Sequence, residues 1–401
     1  MKVSCAMYVE VTEESDLVSL DWDSLPKPIK VIGGGSNLLF TGDFPGTLLH
    51  VAIGGIGTGL DGTPVASLPP APPTVLQTAG PSPYPRPGVD MSVEACAYPS
   101  EGVEVGAGVV FDDFCAWAAE NGLWGPENLS HIPGDVGASA VQNIGAYGVE
   151  AKDIIAGIRA WDILERRFVD IDPADCEYGY RTSKFKTQWK DRFVITRVTF
   201  HLSRTPQPRL DYGGVRKALE QRGVRTSSSG DSGHFVPSGP SHSSANCGPL
   251  PLPTSGGGHA PEEEALTPLR IREVITDIRK QKLPEPEEMG SAGSFFCNPV
   301  ISKEHFGRIV ATAREDNGPE YQVPHYEVGD RIKVPAAWMI EQCGFKGATL
   351  GGAAVYHKQP LVIVNATGDA SPEDIIGLEK RVIDGVAKKY GITLRPEVEH
   401  I

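Results

Sequence analysis

Three short stretches of this sequence carry side chains that could do chemistry, and each has a plain structural alternative. In "SAGSFFCNP", residues 291–299, Ser294 stands between a glycine and two phenylalanines. A serine held still and dry there could donate a proton, although a buried serine is more often a satisfied core hydroxyl. No nearby HxD pattern supports a hydrolase triad. In "YGYRTSKFK", residues 178–186, Arg181 lies after two tyrosines and ahead of two lysines. A guanidinium pairs with planar anions in two-pronged fashion, so this stretch suits a carboxylate or phosphate. The alternative is the solvated basic face of a strand. In "RPEVEHI", residues 395–401, Glu397 is an acid near the chain end, two residues before Glu399, where a surface role is usual.

Two glycine-rich stretches could hold a ligand for these groups. "VIGGGSNLLF", residues 31–40, puts Gly33, Gly34 and Gly35 after an apolar run. Such a turn lets backbone amides approach a diphosphate; a tight turn capped by Ser36 and Asn37 is the alternative. A dinucleotide-binding Rossmann unit is the obvious rival. The pattern is not GxGxxG, the gap to the next strand is too short for a crossover helix, and no acid follows ~20 residues on. "IPGDVGASAVQNIGAYGVE", residues 132–150, is made almost wholly of small residues. Bare backbone there leaves room for a flat ring, which Gln142 and Asn143 could hydrogen-bond; tight helix packing is the alternative.

These residues need elements to hold them. "AMYVEV", "IKVIGGG" and "TLLHVAI" read as strands over residues 1–54. Residues 61–88 hold nine prolines and read as an extended insertion, because proline lacks the donor that a central strand needs. A helix follows with Val110, Phe111, Phe114, Cys115 and Ala118 on one face, stopped by Gly122. Strands "IAGIRAWDI", "RRFVDI" and "RFVITRVTFHL" complete a unit over 55–225. Residues 226–266 are rich in Ser, Gly, Pro and His and lack the apolar mass to offset ordering entropy. His234, His242 and His259 lie there at irregular spacing, so no metal site is expected. From Thr267, Pro268 and the stripe Ile271, Val274, Ile275 and Ile278 predict a helix. Ser371, Pro372 and Gly391 bracket another. Residues 267–394 are expected to form a separate α+β domain, closed by a strand at 395–401 that returns to the first lobe.

Composition narrows the function. The chain has 401 residues and a formal net charge of −14, which opposes binding to nucleic acid or to anionic membrane. No apolar run approaches the ~20 residues of a membrane span. The seven cysteines are scattered without a CxxC, as expected of reduced thiols in a cytoplasmic protein.

Taken together and in order, "GGGSNLLF", "ENLSHIPGDVGASAVQNIGAYGVE", "YGYRTSKFK", "KLPEP…GSAGSFFCNP", "AAWMIEQCGFKGATLGGAAVYHKQPLVIVNATGDAS" and "RPEVEHI" resemble the UDP-N-acetylenolpyruvoylglucosamine reductase family, in its type I-like form. The resemblance implies an α+β fold, with a two-lobed flavin-binding unit of the vanillyl-alcohol-oxidase (PCMH) type plus an α+β substrate-binding domain. It implies non-covalent FAD cradled by Gly33, Gly34, Gly35, Ser36, Asn37, Gly134, Gly137, Ala138 and Gly145. It implies NADPH as co-substrate and UDP-N-acetylglucosamine enolpyruvate as the acceptor of hydride at its vinyl carbon, in peptidoglycan synthesis. Arg181, Ser294 and Glu397 match the family's catalytic arginine, serine and glutamate. Tyr212, Lys282, Asn298 and Gln342 match substrate-binding positions. A cytoplasmic monomer is expected. Cys297 departs from the family, which usually carries a basic residue there. Two alternatives stay open: another FAD-dependent oxidoreductase of the same superfamily, or a non-catalytic binder of nucleotide sugars. Flavin colour and substrate-dependent loss of NADPH would separate them.

Overall fold

The computed structural model describes residues 3–58, 64–66, 100–212, 214–226, 265–285 and 288–401. His234, His242 and His259 lie outside them, as does most of the proline-rich stretch. Near the N-terminus, Cys5–Val11, Phe44–Val51 and Ile29–Ile32 pair in that spatial order as parallel strands. The short link from Ile32 to Phe44 holds the glycine loop instead of a crossover helix, as its length requires.

The second lobe is an antiparallel sheet in the order Arg167–Ile171, Ile155–Asp162, Phe193–Ser203, Ser100–Gly106, Ile56–Thr58, Pro64–Ala66. The last of these lies within the stretch expected to be an insertion. It is an edge strand, where a proline costs no ladder bond. The helix Phe111–Glu120 buries Phe111, Phe114, Cys115 and Ala118 against this sheet, with Phe114 stacked on Phe200 at 4.4 Å. One core joins both lobes: Leu17, Leu49 and Val51 pack in the same cluster as Val103, Ile158 and Phe200.

A second core draws on residues 295–398. It lies among the sheet Ser291–Ser294, Val362–Asn365, Ala353–Val355, Thr349–Leu350, the smaller sheet Val300–Ser302, Arg331–Lys333, Tyr326–Val328, and the helices Lys303–Asn317, Ala336–Gln342 and Pro372–Tyr390. Ser371 caps the last helix with a reciprocal box to Asp374, and Gly391 ends it at φ 66°.

The helix expected from Thr267 spans Pro268–Lys282, capped by the Thr267 hydroxyl. Its stripe packs elsewhere than expected. Ile271, Val274 and Ile275 share a cluster with Trp124, Leu210, Val215 and Leu219 of the second lobe, and Arg272 pairs with Asp112. This helix therefore braces the second lobe, and the compact third unit begins after it.

The C-terminal segment is the chief surprise. Only Glu399–His400 is a strand, and it pairs in parallel with Leu38–Leu39 just after the glycine loop. Leu39 and Val398 are both buried in the core of residues 295–398. Phe296, 2% exposed, sits in that core beside the returning segment. Phe296→Ala should therefore destabilise the protein by about 3–5 kcal/mol, read as a lowered urea midpoint.

Candidate active site

The glycine loop and the loop at 133–138 press together. A Cβ on Gly33 would lie 3.0 Å from Asp135 Oδ2, and one on Gly34 3.1 Å from Asp135 Oδ1. Gly35 has φ 70°, a conformation that glycine adopts without strain. A Cβ on Gly134 would meet Ser36 Oγ at 2.6 Å, and one on Gly137 would meet Ala107 Cβ at 2.8 Å. Small residues are thus required by close approach of backbone. Above this contact lies a cavity of about 400 Å³, lined by residues 33–38, Gly137, Ala138, Gln142, Arg181, Lys186, Cys297 and Glu397.

Backbone bonds bring the C-terminal segment to this cavity. Asn37 Nδ2 donates to the Glu397 carbonyl at 3.1 Å, and the Glu399 N–H donates to the Asn37 carbonyl at 3.0 Å. On its other side, the Glu397 N–H donates to the Phe295 carbonyl at 2.9 Å and the Cys297 N–H to the Arg395 carbonyl at 2.9 Å. Glu397 is thereby held one residue from Ser294 across a pair of segments.

Arg181 meets Glu397 at 3.2 Å, Nε to Oε1. Its backbone is left-handed, with φ 56°, and its Nη2 donates to the Gly145 carbonyl. The short hairpin Gly145–Ala146/Val149–Glu150 thus aims the guanidinium. Burial pushes the Glu397 carboxyl upward, against the attraction of Arg181, Lys186 and Arg395. The same burial pushes the Lys186 ammonium downward and the Cys297 thiol upward. Arg395 Nη2 lies 3.6 Å from Cys297 Sγ, so a cation still faces the place where a basic side chain was expected. Asn298 Nδ2 donates to the Tyr180 hydroxyl at 3.1 Å, beside Arg181, while its Oδ1 accepts from the Ala336 N–H.

Several expected residues sit differently. Ser294 is exposed, whereas Phe295 and Phe296 behind it are 1% and 2% exposed, so the serine faces outward from the core. Asn143 is buried and fully engaged: its amide serves Glu150, the Gly179 carbonyl and the Lys152 N–H, leaving nothing for a heterocycle. Gln142 does line the cavity, where its Oε1 accepts from Lys186. Lys282 is exposed at its helix end and does not line the cavity. Gln342 accepts from Asn317 through its side chain and from Lys389 through its carbonyl, within the third unit's own helices. Tyr212, 41% exposed, stacks on Tyr326 at 5.5 Å and so touches the third unit.

The structure also adds residues that the sequence did not single out. Lys333 Nζ lies 4.6 Å over the Tyr180 ring, and burial lowers its ammonium. Arg279 donates to the His131 carbonyl at 3.1 Å, and burial pushes its guanidinium downward. Neither carries a local motif; each arrives by packing of a distant element. Among the described residues, no cluster of His, Cys, Asp or Glu could hold a metal ion.

A two-lobed unit with a backbone-lined cavity between its lobes, and an arginine–carboxyl pair at the wall, suits an extended cofactor held against backbone. A family model for an FAD binding domain matches residues 96–164, and one for the UDP-N-acetylenolpyruvoylglucosamine reductase C-terminal domain matches residues 285–401. UDP-N-acetylenolpyruvoylglucosamine reductase of Bacteroides fragilis is 38% identical over 100% of this chain and 95% of its own length. Those of Porphyromonas gingivalis and Burkholderia ambifaria are each 35% identical, over 98% and 92% of this chain and 93% and 82% of their own lengths. A crystal structure of the reductase from Thermus caldophilus shares the fold, with a TM-score of 0.52 at 19% identity over 98% of this chain and 91% of that one. The chain belongs to the UDP-N-acetylenolpyruvoylglucosamine reductase family.

The residues present fit an FAD group. The loop brings backbone without side chains to the cavity wall, with the Gly34 N–H turned to Asp135, and side chains at Gly33, Gly34 or Gly137 would collide with neighbours instead of filling the cavity. A Cβ on Gly145 would lie 2.9 Å from both Arg181 Nη1 and the Val149 carbonyl. Gly145→Ala should cost roughly 1–3 kcal/mol of stability, measured as a lowered denaturant midpoint.

Proposed function

We propose that this protein reduces UDP-N-acetylglucosamine enolpyruvate to UDP-N-acetylmuramate for peptidoglycan, using NADPH and non-covalently held FAD. The observation that carries this reading is the Arg181–Glu397 pair at 3.2 Å, set in the wall of a glycine-lined cavity and tied by backbone to the residue after Ser294. Bound there, the flavin would supply two-electron hydride chemistry. Ser36 and Asn37 occupy the first loop, with no histidine to attach the ring covalently.

The chain's own groups do the rest. Reduction of a vinyl carbon next to a carboxylate places negative charge on the neighbouring carbon and on that carboxylate. Arg181 is fixed by Gly145 and Glu397, so it meets that charge without reorganising. Burial raises the Glu397 carboxyl while Arg181 lowers it, and Glu397 would share in stabilising that charge as the partner of Arg181. Ser294 would deliver the proton to carbon; its exposed face gives substrate direct access to the hydroxyl. Tyr212 and Asn298, which flank Tyr180 and Arg181, would position the substrate. Lys282 would reach it from its exposed helix end, and Gln342 would act from farther away through the helix Ala336–Gln342.

An oxidase of the same fold would not need Arg181, Ser294 and Glu397 together. The described residues contain no helix long and apolar enough to cross a membrane; a cytoplasmic monomer fits this reading, and Arg181, Lys186 and Arg395 at the cavity would meet a small anionic substrate despite the chain's net charge of −14. Ser294→Ala should leave the NADPH half-reaction within about twofold and slow the half-reaction with the enolpyruvyl substrate by about 10²–10⁴-fold, measured by stopped flow. Equal slowing of both halves would make Ser294 structural.

A further inference from the structure

Asp135 is an acid in an unexpected place. It is 7% exposed and occupies the N-cap position of the helix Val136–Gln142, yet its side chain makes no capping bond to that helix. Its two oxygens lie instead against Gly33 and Gly34, 3.0 and 3.1 Å from where a Cβ on each would stand. The Gly34 N–H is the group that favours its ionised form. Asp135 does not line the cavity, so a single layer of loop backbone separates it from whatever the loop binds.

Among the described residues, no lysine or arginine forms an ion pair with it. His50 Nε2 is 3.9 Å away on the strand Phe44–Val51, but burial favours the uncharged imidazole. On the other elements around this loop, Asp112 is bound to Arg272, Arg197 to Glu104 and Lys186 to Gln142, while Asp113 adds a further negative charge. The glycine loop and the helix Val136–Gln142 carry no charged side chain. Burial pushes the Asp135 carboxyl up to about 7.

A diphosphate on the far side of the loop would bring two more negative charges next to this carboxyl. We propose that Asp135 takes up a proton when a diphosphate seats on the glycine loop, making cofactor retention proton-linked. The proposal rests on the flavin reading above. As pH falls through neutrality Asp135 becomes protonated before binding, and binding is then unopposed. Above it, each binding event must draw a proton from solvent, so affinity falls as pH rises.

The test is FAD titration of the full-length chain, followed by flavin fluorescence between pH 6 and 8.5. It is paired with calorimetry in buffers of different ionisation enthalpy. The wild type should bind FAD at least about tenfold more weakly at pH 8.5 than at pH 6.5, with net proton uptake near neutrality. Asp135→Asn should bind with a flat profile. FAD binding that is independent of pH and takes up no proton in the wild type would overturn the Asp135 proposal and leave the flavin reading standing. An Asp135→Asn variant keeping the wild-type slope would overturn it too. Failure to bind FAD at any pH would overturn both.

Discussion

The site depends on where the last seven residues go. They pass between the glycine loop and the 293–297 segment, bonded to Asn37 and Leu39 on one side and to Phe295 on the other. A chain end is ordinarily the least ordered part of a domain unless something ties it down. Here it is tied from two sides, and Val398 is buried in the core of the third unit. Glu397 can therefore face Arg181 from a fixed position. Without that insertion, the cavity would lose the wall that carries the carboxyl.

Burial then sets the electrostatics. Glu397 and Lys186 both lie in a poorly solvated pocket, and each is pushed toward its neutral form. The same logic recurs away from the cavity. Glu14 in the first lobe, 6% exposed, meets Arg159 at 3.6 Å and Thr196 at 3.4 Å on the central strands of the second. Its carboxyl is raised to about 7, chiefly by burial. Such buried pairs hold alignment more than they add stability, because desolvation offsets most of the attraction. The two lobes thus share an apolar core and a buried polar tie, in addition to the contact of Asp135 with the glycine loop.

Much of this was legible in the sequence because it is local. The helices Pro268–Lys282 and Pro372–Tyr390 follow from their caps and stripes, and the glycine loop from its three consecutive glycines. Pairings across hundreds of residues were not legible from pattern. Asn37 and Glu397 are 360 positions apart, and nothing in either stretch encodes the other. The stripe of Pro268–Lys282 predicted burial but not its partner, which proved to be the second lobe. Asn143 looked like a ligand group by type and neighbourhood. Its φ of 48° and three hydrogen-bond partners, two nearby in the chain and one at Gly179, show it holding the loop instead. Lys333 and Arg279 carry no motif at all; tertiary packing alone brings them near Tyr180 and His131.

The central claim is that the C-terminal segment is a fixed wall and not a frayed end. Native-state hydrogen exchange at the amides of Glu397, Glu399 and Ile401 measures this directly, since each donates to a carbonyl of another segment at 2.9, 3.0 and 2.9 Å. The account predicts protection comparable to the central strand Phe193–Ser203, with opening free energies near that of global unfolding. Exchange at the rate of an unstructured peptide would contradict it.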